Sequence, residues 1–329
     1  MNTTEVGIIA AACHLPSNRR TVDDLFREEG VKAGGDTLTR LGIDRVPLRN
    51  GESGSFMALA ASQEALQRAG IDAAQLDFII DYTILPQDYL VPAWNMSNRL
   101  QHELGAKKAF TVGFSGGGAS NFLVSLSSGV AMLQANDNFK AGLLVGSEVT
   151  IPGSRVVNPS DPVTVLGDGA SAVILQKGAT TGVVLSTELR SDGANHDVYY
   201  IPGGALAHDQ PEMYRMQLDK TRYDSSAKFE AVRDVATQAM QRAGVTADSI
   251  SFALYPNISC DDQARFQEMF NFKPEQMCVT NRAENGHLHG TDFVLNYLSM
   301  LESGNRSGQH VVAASHGMGY LAGASVIRC

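Results

Sequence analysis

An internal repeat constrains this chain more than any other feature. Gln67-Arg68-Ala69-Gly70-Ile71-Asp72-Ala73 returns as Gln241-Arg242-Ala243-Gly244-Val245-Thr246-Ala247, each at the end of an Ala-rich amphipathic run. Leu76-Asp77-Phe78-Ile79 then answers to Ile250-Ser251-Phe252-Ala253, so helix, turn and strand recur together. Ala109-Phe110-Thr111-Val112 pairs with Met277-Cys278-Val279-Thr280, each read as a short strand, a Gly-containing loop and a helix. The strands Ala141 to Gly146 and His310 to Ala314 follow, and Gly169-Ala170-Ser171-Ala172-Val173-Ile174 is echoed by Gly323-Ala324-Ser325-Val326-Ile327. The period far exceeds that of a solenoid, so it predicts two similar half-domains facing each other, with a site where they meet. The halves divide near Gly178 to Gly182, giving 1–178 and 179–329.

Composition matters here for what it excludes. A chain of 329 residues with 43% hydrophobic and 19% charged residues can bury a large core and accommodate two half-domains of ordinary size. Its net charge of -9 argues against a surface that tracks nucleic-acid phosphates. No apolar run is long enough to span a bilayer, and Val6 to Cys13 reads as a buried first strand, not a leader. Cys13, Cys260, Cys278 and Cys329 show no paired spacing and no CxxC, which points to a reducing cytoplasm and away from a metal site.

Short buried strands alternate with helices, the pattern of a mostly parallel α/β protein. The spacing predicts a helix over Ser55 to Ala69 closed by Gly70, a strand over Phe78 to Leu85 closed by Pro86, and a helix over Trp94 to Leu104 closed by Gly105. A strand over Phe110 to Phe114 and a helix over Asn121 to Leu133 flank the Gly-rich corner Ser115-Gly116-Gly117-Gly118-Ala119-Ser120. That corner lacks GxxxxGK[ST], and no acidic residue follows at the distance a dinucleotide fold needs. Residues 153–165 and 192–227, rich in Pro, Gly, Asp and Ser, read as excursions that cover a site or meet a partner.

Several stretches together resemble the β-ketoacyl-acyl-carrier-protein synthase III proteins of the thiolase superfamily. They are Thr39-Arg40-Leu41-Gly42-Ile43, Leu104 to Phe110, Val145-Gly146-Ser147-Glu148, Leu166 to Val173, and the closing segment Ser315 to Arg328. The resemblance implies a duplicated thiolase-like fold with five layers, αβαβα, assembled as a homodimer or heterodimer. It further implies an acyl-CoA or acyl-carrier-protein thioester as substrate, with coenzyme A or phosphopantetheine as the carrier and no separate cofactor. Members of the family hold the acyl group on a cysteine at a helix N-terminus, with a His and an Asn assisting the second step.

This chain departs from that pattern. Its corner contains no cysteine, and Gly116 falls at the matching place if no gap is allowed. Ser115 and Ser120 are the nearby hydroxyls, as covalent nucleophiles if a base reaches them or as helix caps if none does. Where the family has its histidine this chain has Pro256-Asn257, and where it has its asparagine this chain has Gly286-His287, so His and Asn exchange places. Gly286-His287 with Asp292 and Asn296 also resembles a specialised-metabolism branch of the family. His316 falls in the closing loop, whose counterpart in thiolases carries a catalytic residue. His287 and His316 are therefore candidate bases, His289 reads as an ordinary loop residue, and Asp168 as a turn-fixing one. Backbone N–H groups of Gly116, Gly117, Gly118, Gly317 and Met318 are the candidate oxyanion donors. Two functions follow: an acyltransferase with a Ser/His/Asn site, covalent or direct, or a silent copy that pairs with an active synthase chain.

Overall fold

The computed structural model describes residues 4–84, 96–202, 216–304 and 306–329. Its main sheet has nine strands: β1 (Val6–His14), β2 (Phe78–Asp81), β3 (Phe110–Gly113), β4 (Ala141–Glu148), β5 (Gly169–Lys177), β6 (Val183–Arg190), β7 (Ile250–Leu254), β8 (His310–His316) and β9 (Ala322–Arg328). The principal helices are α1 (Gly54–Ala69), α2 (Met96–Leu104), α3 (Asn121–Ala135), α4 (Ser225–Ala243), α5 (Cys260–Phe270) and α6 (Thr291–Glu302). Across the sheet the order is β7-β8-β9-β6-β1-β5-β4-β2-β3. Read outward from the β1–β6 junction, the two sides repeat one topology: β1-β5-β4-β2 on one, β6-β9-β8-β7 on the other. In each half the strand after the first long helix runs parallel to its neighbour, while the closing strand is antiparallel.

Local chemistry repeats with the topology. Ser53 caps α1 by accepting from the N–H of Phe56, and Asp224 caps α4 by accepting from those of Ser226 and Ala227. Gly70 (φ 66°) and Gly244 (φ 70°) close the same two helices in the left-handed region. A one-turn 3-10 helix with a capping box follows in each half, Ala73–Gln75 and Ala247–Ser249.

Three apolar clusters separate five layers. Met57, Ala58, Ala61 and Ala65 of α1 lie on Ala10, Ala12, Ala170 and Ala172, small residues that let helix and sheet approach closely. On the opposite outer face, Val232, Ala236 and Ala239 of α4 and Phe266 of α5 cover Val312, Ala324 and Val326. Between the two half-sheets, α3 and α6 form the middle layer, where Phe122 stacks on Phe293 at 5.5 Å and 17°. That central cluster draws on both halves, from Val6 and Phe78 to Phe252 and Val311. The expected αβαβα arrangement is therefore the observed one.

Some expected elements differ. β2 ends at Asp81, and Leu85, Pro86 and Trp94 lie outside the described residues, as do 203–215 within the second excursion. The counterpart of β3 is reduced to one parallel bridge between Met277 and Ala253, because the chain turns into the helix Thr280–Asn285 directly afterwards. The excursions carry short hairpins, Val156–Val157 with Thr164–Val165 and Tyr199–Tyr200 with Gln217–Leu218.

Candidate active site

The site forms where the Gly-rich corner before α3 meets the closing loop after β8. The two loops touch backbone to backbone. A Cβ on Gly317 would stand 1.8 Å from the Gly117 oxygen, and one on Gly118 would stand 2.9 Å from the Met318 nitrogen. Only glycine permits that crossing. Asn121, at the start of α3, braces the corner by accepting from the N–H of Gly117 at 2.8 Å.

A cavity of about 60 Å³ opens beside this crossing, room for roughly four waters among the described residues. Gly118, Ala119, Gly317 and Met318 form one wall, and His287, His289 and His316 another. Val157, Thr164 and Tyr199 come from the two excursions. Gly117 is bonded to Asn121, and the N–H of Gly317 donates to Leu321 O at 2.8 Å. The N–H groups of Gly118 and Met318 meet no acceptor among the described residues.

His287 is the best-positioned of the candidate bases. Its Nδ1 lies 2.6 Å from Asp292 Oδ2. Asp292 is fully buried and also accepts from the N–H of Asn257 (2.7 Å), the N–H of Leu288 (2.8 Å) and Asn257 Nδ2 (3.3 Å). A carboxylate surrounded by donors serves as an acceptor, so the network assigns the imidazole proton to Nδ1. Nε2 then keeps its lone pair for the cavity that the ring lines.

The other two imidazoles are different. Burial, with His287 beside it, holds His289 well below the usual histidine range, and its backbone has φ 52°. Its ring centroid is 4.5 Å from that of His287. His289, read from the sequence as an ordinary loop residue, is half-buried and lines the cavity. Burial, then the Lys228 ammonium, pushes His316 down to about 4 despite the nearby Asp262 carboxylate. His316 Nε2 is 3.8 Å from Asp262 Oδ2, too long for a hydrogen bond, and it has no hydrogen-bond partner among the described residues. Burial alone would raise Asp262, but Lys228 and His316 hold it well below the usual carboxylate range. Lys228, itself buried, contacts Asp262 at 3.3 Å and donates to the Tyr223 hydroxyl at 2.9 Å.

The remaining candidates lie outside the cavity. Ser115 and Gly116 are exposed, and the cavity meets the corner at Gly118, not at Gly116. Ser120 is fully buried, with its hydroxyl 2.8 Å from Ser315 Oγ and 2.9 Å from Leu321 O, and it makes no capping bond to α3. Asn257 stands behind the dyad with its side chain fully engaged, since Oδ1 accepts from Gln263 Nε2 and Asn296 Nδ2, each at 3.1 Å. Asp168 is held by Arg155 through both oxygens, at 3.0 and 2.9 Å, in a purely internal contact. No sequence pattern marks Lys228, Asp262 or Tyr199, which reach the site from α4, α5 and an excursion whose register only the fold sets.

Comparison with known proteins now decides the family. The 3-oxoacyl-[acyl-carrier-protein (ACP)] synthase III profile matches residues 116–193. The β-ketoacyl-[acyl-carrier-protein] synthase III of Rhodospirillum rubrum is 32% identical over 257 residues, covering 75% of this chain and 76% of that protein. The chain belongs to the β-ketoacyl-[acyl-carrier-protein] synthase III family. The synthase III of Clostridium beijerinckii is similar at 30% identity, with 76% of each chain covered. Among solved structures, the Aquifex aeolicus synthase III superposes with a TM-score of 0.84 at 21% identity, over 98% of this chain and 100% of that one. An acyltransferase structure, ChlB3, superposes with the same score at 19% identity, over 98% of this chain and 97% of that one. At those identities the likeness concerns the shared fold.

Against that family background, the cysteines are of interest for where they lie. None lines the cavity, and burial pushes the thiols of Cys13, Cys278 and Cys329 up, away from the thiolate a nucleophile needs.

Proposed function

We propose that this protein is an acyltransferase that moves an acyl group from a coenzyme A or acyl-carrier-protein thioester directly onto an acceptor hydroxyl or amine. The observation that carries this reading is His287, tied to the buried Asp292 at 2.6 Å and lining the same cavity as Gly118 and Met318, whose N–H groups meet no acceptor among the described residues. In the proposed step, His287 Nε2 takes the acceptor's proton as the acceptor attacks the thioester carbonyl. The resulting oxyanion is held by the amides of Gly118 and Met318. Collapse expels the carrier thiolate, which takes the proton back from the imidazolium. Gly116, which falls at the family cysteine's position when no gap is allowed, is exposed and carries no side chain that could hold an acyl group. The buried, bonded Ser120 and the exposed Ser115 support transfer without an acyl-enzyme. Fatty-acid-derived or polyketide specialised metabolism is the setting this chemistry fits.

Steady-state transfer by the chain alone, with acyl-CoA donors and a panel of alcohol and amine acceptors, tests this reading. His287→Ala is expected to lower kcat by about 10²–10⁴-fold, the usual value of a positioned base. Undiminished turnover in that variant would refute the assignment. A second reading is favoured by the absence of any cysteine at the cavity: a silent copy that stabilises an active sister chain. It predicts no turnover until a second synthase chain is added.

A further inference from the structure

Behind the dyad runs a chain of buried side chains that ends in a buried cation without an anion. Arg282 is 8% exposed, and no carboxylate lies within ion-pair distance of it among the described residues. Its Nε donates to Gly42 O at 3.1 Å, and its Nη1 donates to Gln263 Oε1. Gln263 Nε2 donates to Asn257 Oδ1 at 3.1 Å, and Asn257 Nδ2 donates to Asp292 Oδ1 at 3.3 Å. Asp292 then holds His287 Nδ1 at 2.6 Å.

The polarity of this chain is fixed from both ends. A guanidinium only donates, so Gln263 must turn its carbonyl toward Arg282 and its NH2 toward Asn257. Asn257 must then present its oxygen to Gln263 and its NH2 to the carboxylate. Asn296 Nδ2 enforces the same orientation by donating to Asn257 Oδ1 at 3.1 Å. Both amide dipoles therefore point their positive ends at Asp292. Gly42 completes the anchor. With φ 58° it offers its carbonyl to Arg282, and a Cβ there would stand 3.0 Å from Arg282 Nη2. The Arg-Leu-Gly-Ile stretch at 40–43 thus reaches the dyad through Arg282.

We infer that Arg282, Gln263 and Asn257 are positioning residues that hold Asp292 as an acceptor and so fix His287 in the Nδ1–H tautomer. The inference rests on His287 being the base of the proposed transfer. Outer-shell partners that orient metal-ligating histidines are commonly worth about 10–100-fold in activity, and a similar factor is expected for partners that orient a histidine base. Arg282→Met and Gln263→Met should lower kcat by about that factor while leaving the KM for the thioester donor unchanged, and Arg282→Lys should restore most of the loss. Gln263→Met keeps the Arg282–Gly42 anchor and guards against simple misfolding of the arginine variant.

The test that does not need turnover is ¹⁵N NMR of histidine-labelled protein, with the His287 signals identified by their loss in His287→Ala. The expected result is a single Nδ1–H tautomer in the wild type and in Arg282→Lys, and a mixed population in the two methionine variants. If folded Arg282→Met and Gln263→Met keep the wild-type tautomer and kcat, the inference is overturned. Should His287→Ala stay active while the tautomer responds as expected, the base assignment fails and the relay stands.

Discussion

Three histidines share one small cavity, and their surroundings give them different tasks. His287 is tied to a carboxylate and set up to accept a proton. His316 faces a buried ammonium and is kept neutral. The folded value of His316, about 4, lies below its ordinary 6.5, so between those values the unfolded chain binds the extra proton. Its contribution to stability is therefore complete above about pH 6.5 and is lost as the pH falls toward 4, amounting to about 3 kcal/mol over that window. Asp262, held low, adds acid sensitivity in the same direction at still lower pH. Urea unfolding at pH 7 and pH 4.5 should show a clearly smaller pH dependence in His316→Gln than in the wild type. An unchanged slope would mean that the ring is not shielded as described. Charge at this scale was invisible in the sequence: Lys228 and Asp262 sit 34 positions apart, and only the packing of α4 against α5 makes them a pair.

At the scale of elements, glycines decide how close strands and loops can come. Phe78 and Tyr82 lie over Gly142 and Gly146 of β4, where an added Cβ would stand 2.1 Å from either ring. The Tyr82 hydroxyl also reaches Ser171 Oγ at 2.5 Å, and Ser171 Oγ is 2.8 Å from Thr291 Oγ1 at the start of α6. Gly146→Ala must displace Tyr82 and is expected to cost about 1–3 kcal/mol in chemical denaturation. A neutral substitution there would contradict the packing. Elements of this kind were legible in the sequence because their punctuation is local. Gly70 and Gly244 stood at the ends of the Ala-rich amphipathic runs that became α1 and α4. The site was legible only in part. The Gly-rich corner, His287 and His316 stood out by residue type and by their place against the family pattern. Ser115, Ser120 and Asn257 also stood out, yet hydroxyl and amide groups serve packing as readily as chemistry. Nothing in one dimension shows that Ser120 is satisfied by Ser315 and Leu321. His289 was passed over because its approach to His287 depends on a left-handed turn.

The whole molecule places the site at the meeting of two halves. The corner comes from the first half and the closing loop and His287 from the second, so neither half carries the cavity alone. The strand order repeats on both sides of the β1–β6 junction, and the middle layer of α3 and α6 fixes one loop against the other. That arrangement holds the backbone amides of Gly118 and Met318 beside an imidazole. The central claim is direct transfer at this junction. Intact-mass measurement during turnover, by the chain alone with an acyl-CoA donor and an acceptor, tests it most directly. The account predicts product formation with no acyl adduct on the protein, in the wild type and equally in Ser115→Ala and Ser120→Ala. A stable adduct that disappears in either serine variant, or the absence of any product until another synthase chain is supplied, would contradict it.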